Sequence, residues 1–278
     1  MIDNRTGPTA GDFRAGVPIR IAGVTKRYLS ARGGEVHALD EIDLAIAGGE
    51  FVSIVGPSGC GKSTLLMLIS GLIPATTGTI EVGGIRVKGA IGNVAIVFQR
   101  DVLLDWRTVL ANVLLPVEIK KLDPVSHRRK AQELLRSVGL EEFEDKYPGE
   151  LSGGMRQRVA ICRALVQDPG LLLMDEPFGA LDALTREQMR IDLEELWMQT
   201  GKTVLFITHS IDEAVLLADR VIVMSPRPGR IEQVYEIALP RPRGLAARSH
   251  PLFIEAAQKI TDLFLSKGIL RGDKANSP

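Results

Sequence analysis

Apolar and polar residues alternate over residues 19–28 and again over 36–46, and Arg32-Gly33-Gly34 lies between the two runs. That pattern predicts strand, turn, strand. Residues 51–55 are a brief apolar run ending at a glycine, as expected of a strand buried on both faces. A helix is predicted over 62–72, closed by Gly71 and Pro74, and two further strands over 79–82 and 94–98. From about residue 104 to residue 167 the spacing becomes helical, with one helix over 126–138 ending at Gly139 and another beginning at Ser152. Alternation of element types then returns: strand 171–174, helix 185–200, strand 203–207, helix 211–217, strand 220–224. Such alternation predicts an α/β core with a mostly parallel sheet covered on both faces, here with an antiparallel β flap near the start and a helical lobe inserted in the middle. Residues 1–18 read as a flexible tail, 19–240 as the main domain with its lobe at about 104–167, and 241–278 as a C-terminal tail carrying an amphipathic helix over about 251–267.

Charge and composition narrow the partners. The 34 Lys and Arg residues balance 34 Asp and Glu, so no basic field draws in nucleic acid, and at 5% aromatic residues there is little to stack on bases. Nucleic acid is therefore not an expected partner. Cys60 and Cys162 cannot build a disulfide framework, which fits a reducing compartment. The longest apolar stretch, residues 65–73, is interrupted by Ser70 and Gly71 and falls far short of the ~20 residues of a membrane span. The first 18 residues lack an apolar signal region. Any role at a membrane must come through another protein.

Three segments carry chemistry. Gly56-Pro57-Ser58-Gly59-Cys60-Gly61-Lys62-Ser63 fits the phosphate-loop pattern G-x-x-x-x-G-K-[ST], after a predicted strand and opening a helix, with Thr64 next in line. Its glycines let backbone N–H groups approach phosphate oxygens at the positive end of a helix. Lys62 would reach the β- and γ-phosphates, and the Ser63 hydroxyl would ligate Mg²⁺. A glycine-rich strand-to-helix turn without a ligand is the plainer alternative. Cys60, beside Lys62 and a helix start, reads either as a reactive thiolate or as a small buried spacer. Leu171-Leu172-Leu173-Met174-Asp175-Glu176 is an apolar strand ending in two carboxylates. Asp175 suits a metal, and Glu176 suits orienting and deprotonating a water; a surface acidic turn is the alternative. Leu151-Ser152-Gly153-Gly154-Met155-Arg156-Gln157 offers an N-capping serine and bare backbone at a helix start, a second anion site or simply a capped helix.

Together and in this order the segments resemble the ATP-binding cassette (ABC) ATPases, over nearly all of residues 19–235. The resemblance implies a P-loop NTPase core binding ATP and Mg²⁺, and it gives roles to residues that carry little signal alone. Gln99, after the strand at 94–98, would touch Mg²⁺ or the attacking water. His209 would contact the γ-phosphate and help Glu176 hold that water. Tyr28 would stack on adenine, and Ser152, Gly153, Gly154, Gln157 and Asp182 would meet nucleotide in the family's signature and Leu181-Asp182 turn. The resemblance implies a homodimer in which each nucleotide lies between Lys62, Ser63, Asp175 and Glu176 of one copy and Ser152 with its glycines from the other.

Within the family, residues 103–113, Met155 and Leu239-Pro240-Arg241-Pro242-Arg243 are similar to nitrate, sulfonate and taurine import ATPases, although Asp105 stands where those usually have Pro. Trp106 then either faces a partner or belongs to the lobe core. The implied protein is a peripheral subunit at the cytoplasmic face of the inner cell membrane. It would join a membrane-spanning permease and, through it, a periplasmic or extracellular solute-binding protein. An importer of a heterocyclic vitamin precursor and a non-transport ABC ATPase are the alternatives. A soluble P-loop kinase would have no use for Ser152-Gly153-Gly154.

Overall fold

The computed structural model describes residues 16–29 and 34–270. Strands β1 (Ile19–Leu29) and β2 (Glu35–Ile46) pair antiparallel, with Ile19 opposite Ile46 and Tyr28 opposite Val36. Of the turn expected between them, Arg32 and Gly33 lie outside the described residues. Strand β3 (Phe51–Val55) leads through the phosphate loop into α1 (Lys62–Ile69). That helix stops short of residue 72 because Gly71 adopts φ 74° and its N–H turns back to the Leu68 carbonyl. Strands β4 (Thr77–Val82) and β5 (Ile85–Arg86) complete a four-stranded flap in the order β2-β1-β4-β5.

The chain next forms β6 (Val94–Val97), then three helices: α2 (Val109–Lys120), α3 (Pro124–Ser137) and α4 (Gly153–Leu165). These helices bury Val109, Val113, Val117, Leu135, Val159 and Val166 against one another, giving the lobe a core of its own. Asn112 is fully buried on α2, and its amide binds the carbonyls of Leu104, Arg107 and Thr108, so it pins the chain entering the lobe. Trp106 on that entering segment is 74% exposed, which removes the lobe-core reading of this residue.

Beyond the lobe come β7 (Leu171–Asp175), α5 (Ala183–Thr200), β8 (Thr203–Ile207), α6 (Ile211–Leu217), β9 (Arg220–Met224), β10 (Ile231–Glu236) and α7 (Pro251–Ser266). The second sheet runs β10-β9-β3-β8-β7-β6, parallel except for the antiparallel edge strand β10. Successive strand side chains face opposite ways. Phe51, Leu172, Phe206 and Val221 therefore enter one core layer with α5, α6 and α7, while Val52, Leu173, Leu205 and Ile222 enter another beneath α1 and the flap. Burying each such side chain is worth about 1.5–3 kcal/mol, so the central strands are firm mounts for the loops at their C-terminal ends.

The chain is tied in where it enters the core and again where it leaves the last strand. Val17 is buried, and its N–H donates to the Gly170 carbonyl. Arg243, 1% exposed, donates to the carbonyls of Val215, Ala218 and Leu239, while its own backbone N–H meets Glu194. Burial pushes the Arg243 guanidinium down to about 10.

Candidate functional site

Four loops leave the C-terminal ends of β3, β6, β7 and β8 and converge. The first wraps from Gly56 to Gly61, with Gly59 and Gly61 at φ 75° and 105°, backbone that L side chains rarely adopt. Gly61 is also packed closely: an added Cβ would lie 2.6 Å from a Leu39 methyl. Ser58, Gly59 and Ser63 face solvent, whereas Gly56, Cys60 and Lys62 are buried. The Lys62 ammonium donates to the carbonyls of Gly56 at 2.9 Å and Pro57 at 3.1 Å, curled against its own loop. Cys60 is wholly buried, and burial pushes its thiol up against the opposing pull of Lys62. The spacer reading of Cys60 therefore holds, and the thiolate reading does not.

A cleft of about 420 Å³ opens above this loop, lined by Tyr28, Val36 and Ala38 from the flap, Ser58, Gly59, Gly61, Lys62, Ser63 and Thr64, and then Gln99, Glu176, His209 and Arg227. The Tyr28 hydroxyl reaches the Thr64 hydroxyl at 3.5 Å, so the flap closes on the start of α1. On the far side the Glu176 carboxylate is shared: the Gln99 amide donates to one oxygen at 3.2 Å, and His209 Nε2 stands 2.5 Å from the other. Glu176 sits at φ 48°, an uncommon conformation for this residue type that aims its side chain off the strand end, and its N–H is secured by the Ile207 carbonyl. The neighbouring Asp175 Oδ1 is buried with no hydrogen-bond partner among the described residues.

Ser152, Gly153, Gly154, Gln157 and Asp182 lie outside the lining of this cleft. The Ser152 hydroxyl accepts from the Met155 N–H and caps α4. Gly154 packs so near α5 that an added Cβ would fall 2.6 Å from a Thr185 methyl. Asp182 caps α5 through the N–H groups of Leu184 and Thr185, and the bonds from Thr185 hold its carboxyl below the usual range. Gln157 is buried and donates to the Phe98 carbonyl at 3.4 Å. With Arg156 paired to Asp101 and Arg163 donating to the carbonyls of Asp101 and Val102, it fastens the Gln99 segment to α4.

Sequence reasoning missed three residues. Arg227 enters the cleft from the β9–β10 loop. Glu213 receives the Thr208 hydroxyl at 2.5 Å just behind His209, and burial pushes its carboxyl up. Arg186 stands 3.7 Å from Glu213 and donates to the carbonyls of Phe178 and Leu181, linking the His209 loop to the Asp182 turn. Their nearest signal was position: Glu213 lies on the helix that His209 introduces, and Arg186 on the one that Asp182 introduces.

A phosphate loop, a carboxylate held by an amide and an imidazole, and a flap aromatic over the loop together define a nucleotide-hydrolysing site. The model of the ABC transporter family matches residues 39–179. The chain is 46% identical over 250 residues to the uncharacterized ABC transporter ATP-binding protein MJ0412 of Methanocaldococcus jannaschii, covering 90% of this chain and 92% of that protein. It is 43% identical over 247 residues to the taurine import ATP-binding protein TauB of Jannaschia sp. strain CCS1, covering 87% and 92% respectively. Among solved structures, the dimeric post-hydrolysis state of the ATP-binding cassette MJ0796 bound to ADP and Pi superposes with a TM-score of 0.71 at 35% identity, covering 79% of this chain and 98% of that one. The chain belongs to the ABC transporter family, as an ATP-binding and ATP-hydrolysing subunit.

Proposed function

We propose that this subunit drives import of a small solute, taurine before sulfonate or nitrate, by hydrolysing ATP between two copies of itself. The observation that carries the catalytic half is Glu176 suspended between Gln99 and His209 at the rim of the phosphate-loop cleft. In this reading Gly56 to Ser63 and Thr64 bind the phosphates, Tyr28 stacks on adenine, and Lys62 neutralises the β- and γ-oxygens. Glu176 takes the proton of the attacking water, oriented by His209 and Gln99. Mg²⁺ fits the donors present: the unpartnered Asp175 Oδ1 gives one carboxylate, and Ser63 and Gln99 add a hydroxyl and an amide. When bound, Mg²⁺ neutralises charge building on the β- and γ-phosphates.

The position of Ser152, Gly153, Gly154 and Gln157 away from the cleft supports a dimer. One copy holds the base of the nucleotide site, and the capped start of α4 from a second copy closes it, with Asp182 at the seam. Among the described residues no helix is long and apolar enough to cross a membrane, so attachment runs through a permease. Exposed Trp106, Val102 and Phe98 offer that permease an apolar contact, at the cytoplasmic face. A solute-binding protein on the opposite side delivers cargo. Relatives named as taurine import proteins favour this reading over a vitamin-precursor importer or a non-transport ATPase.

The test is uptake of labelled taurine, alkanesulfonate and nitrate by a strain lacking this subunit, complemented with wild type or Lys62→Ala. Wild type is expected to restore taurine uptake and Lys62→Ala to restore none. Undiminished taurine uptake in the deletion strain overturns the cargo; full activity with Lys62→Ala overturns the ATPase role of the cleft.

A further inference from the structure

Strands β9 and β10 are joined through Ser225-Pro226-Arg227-Pro228-Gly229-Arg230, far longer than the two residues a tight hairpin needs. The loop is held from three directions. The Gly229 N–H donates to the Ala38 carbonyl at 2.9 Å, and the Gly229 carbonyl accepts from Asp40 at 3.0 Å. Gly229 lies directly on the phosphate loop: an added Cβ would fall 1.9 Å from the Cys60 carbonyl oxygen. Inside the loop the Ser225 hydroxyl donates to the Pro228 carbonyl at 3.1 Å and accepts from the Arg230 N–H at 2.9 Å. Arg230 in turn pairs with Asp40 on β2.

A loop clamped in this way presents Arg227 at a set place. Its Nε donates to the Gly59 carbonyl at 3.3 Å, at the tip of the phosphate loop, and its guanidinium lines the same cleft as Ser58, Lys62, Ser63 and Thr64. The side chain is exposed, and no carboxylate pairs with it among the described residues. The two cations of the cleft are thus presented differently. Lys62 is 5% exposed with its ammonium on carbonyls of its own loop, whereas Arg227 is exposed at the cleft lining and its terminal NH₂ groups have no hydrogen-bond partner among the described residues. A planar guanidinium anchored at Nε and open at its far end suits phosphate oxygens.

We propose that Arg227 is a nucleotide-binding residue, a second cation of the phosphate cradle whose terminal NH₂ groups bind the polyphosphate chain of ATP while Nε stays on Gly59. This rests on the nucleotide reading of the cleft and adds to it a residue outside the phosphate loop. The test is calorimetric titration of the purified protein with MgATP and MgADP, using wild type, Arg227→Ala, Arg227→Gln, Arg227→Lys and Lys62→Ala, each checked for folding by thermal melting. Loss of one charge-assisted contact weakens both nucleotides about tenfold in Arg227→Ala. Arg227→Gln keeps an N–H donor for Gly59 without the charge, and is expected to bind as weakly as the Ala variant, with Arg227→Lys between them and wild type. Wild-type affinity in Arg227→Gln, with or without loss in Arg227→Ala, overturns the proposal, since the residue would then only brace the loop. Loss in Lys62→Ala beside wild-type binding in Arg227→Gln sinks Arg227 alone; wild-type binding in both sinks the nucleotide reading of the cleft.

Discussion

Replacing Glu176 with glutamine separates the shape of the hydrolytic cluster from its basicity. The carboxylate has one oxygen 2.5 Å from His209 Nε2 and the other accepting from Gln99 at 3.2 Å. A glutamine keeps one acceptor and turns the other into a donor. Gln99 can rotate its amide to offer oxygen and His209 can change tautomer, so both contacts survive in altered sense. His209 is 44% exposed, and a polar contact that open to solvent is worth about 0–1 kcal/mol, so stability should change by no more than that. The backbone at 176 keeps its bond to Ile207. What disappears is the basic oxygen, and a positioned general base contributes roughly 10²–10⁴ in rate, or about 2.7–5.5 kcal/mol of barrier. The expected protein binds MgATP like wild type, melts within a few degrees of it, and hydrolyses ATP at least a hundredfold more slowly. It should also accumulate as an ATP-bound dimer on size exclusion. Single-turnover phosphate release and nucleotide titration measure the two halves. Hydrolysis within tenfold of wild type refutes Glu176 as the base, and a species that stays monomeric at every ATP and protein concentration refutes the two-copy site.

Three further outcomes are expected. Burial raises both thiols, that of Cys162 to about 12, so neither should react with iodoacetamide near neutral pH in the folded protein, and both should in denaturant; rapid native labelling of Cys60, seen by peptide mass spectrometry, contradicts its place beneath the loop. Burial raises the Asp168 carboxyl, but Lys202 at 2.9 Å and Lys130 at 3.6 Å outweigh it and leave its pKa below the usual value. Its stabilisation is then complete above the unfolded value of about 3.9 and fades as pH falls through the folded one, so Asp168→Asn should cost about 1 kcal/mol in urea melts at pH 7 and progressively less as the pH is lowered below about 3.9. Arg243→Leu should cost about 3–5 kcal/mol, because it strands the buried carbonyls of Val215, Ala218 and Leu239; a melting curve matching wild type refutes that the C-terminal segment is tied to the core by this side chain.

The core strands were legible because each is a short apolar run, and three carry a marker at or just past the end: Gly56 after β3, Asp175-Glu176 at the end of β7 and His209 after β8. Strand β10 was not legible, because an edge strand is covered on one side only: Ile231, Val234 and Tyr235 are half-buried amid polar neighbours. Helix α2 was blurred by Pro116 inside it. In the site, Lys62, Ser63, Gln99, Glu176 and His209 were each found from sequence, and the structure brings them to one cleft. Arg227 was invisible, since a lone arginine between two prolines carries no spacing signal and gains meaning only when Gly229 seats the loop on Cys60. Trp106 and Cys60 each had two readings in sequence, and burial alone distinguishes them.

The bonds from Gln157, Arg156 and Arg163 to residues 98–102 make helix α4 and the Gln99 segment a single lever. Glu176 follows β7, the strand paired with β6, and its N–H is held by Ile207 on β8. The 3.2 Å contact between Gln99 and Glu176 therefore links the segment fastened to α4 with the end of the neighbouring strand, and a shift of about half an ångström would carry it past hydrogen-bonding range. Geometrically the contact is an interlock: the cluster around Glu176 is complete only while α4 holds residues 98–102 in place, and any displacement of α4 that carried Gln99 along would leave one carboxylate oxygen without its amide donor.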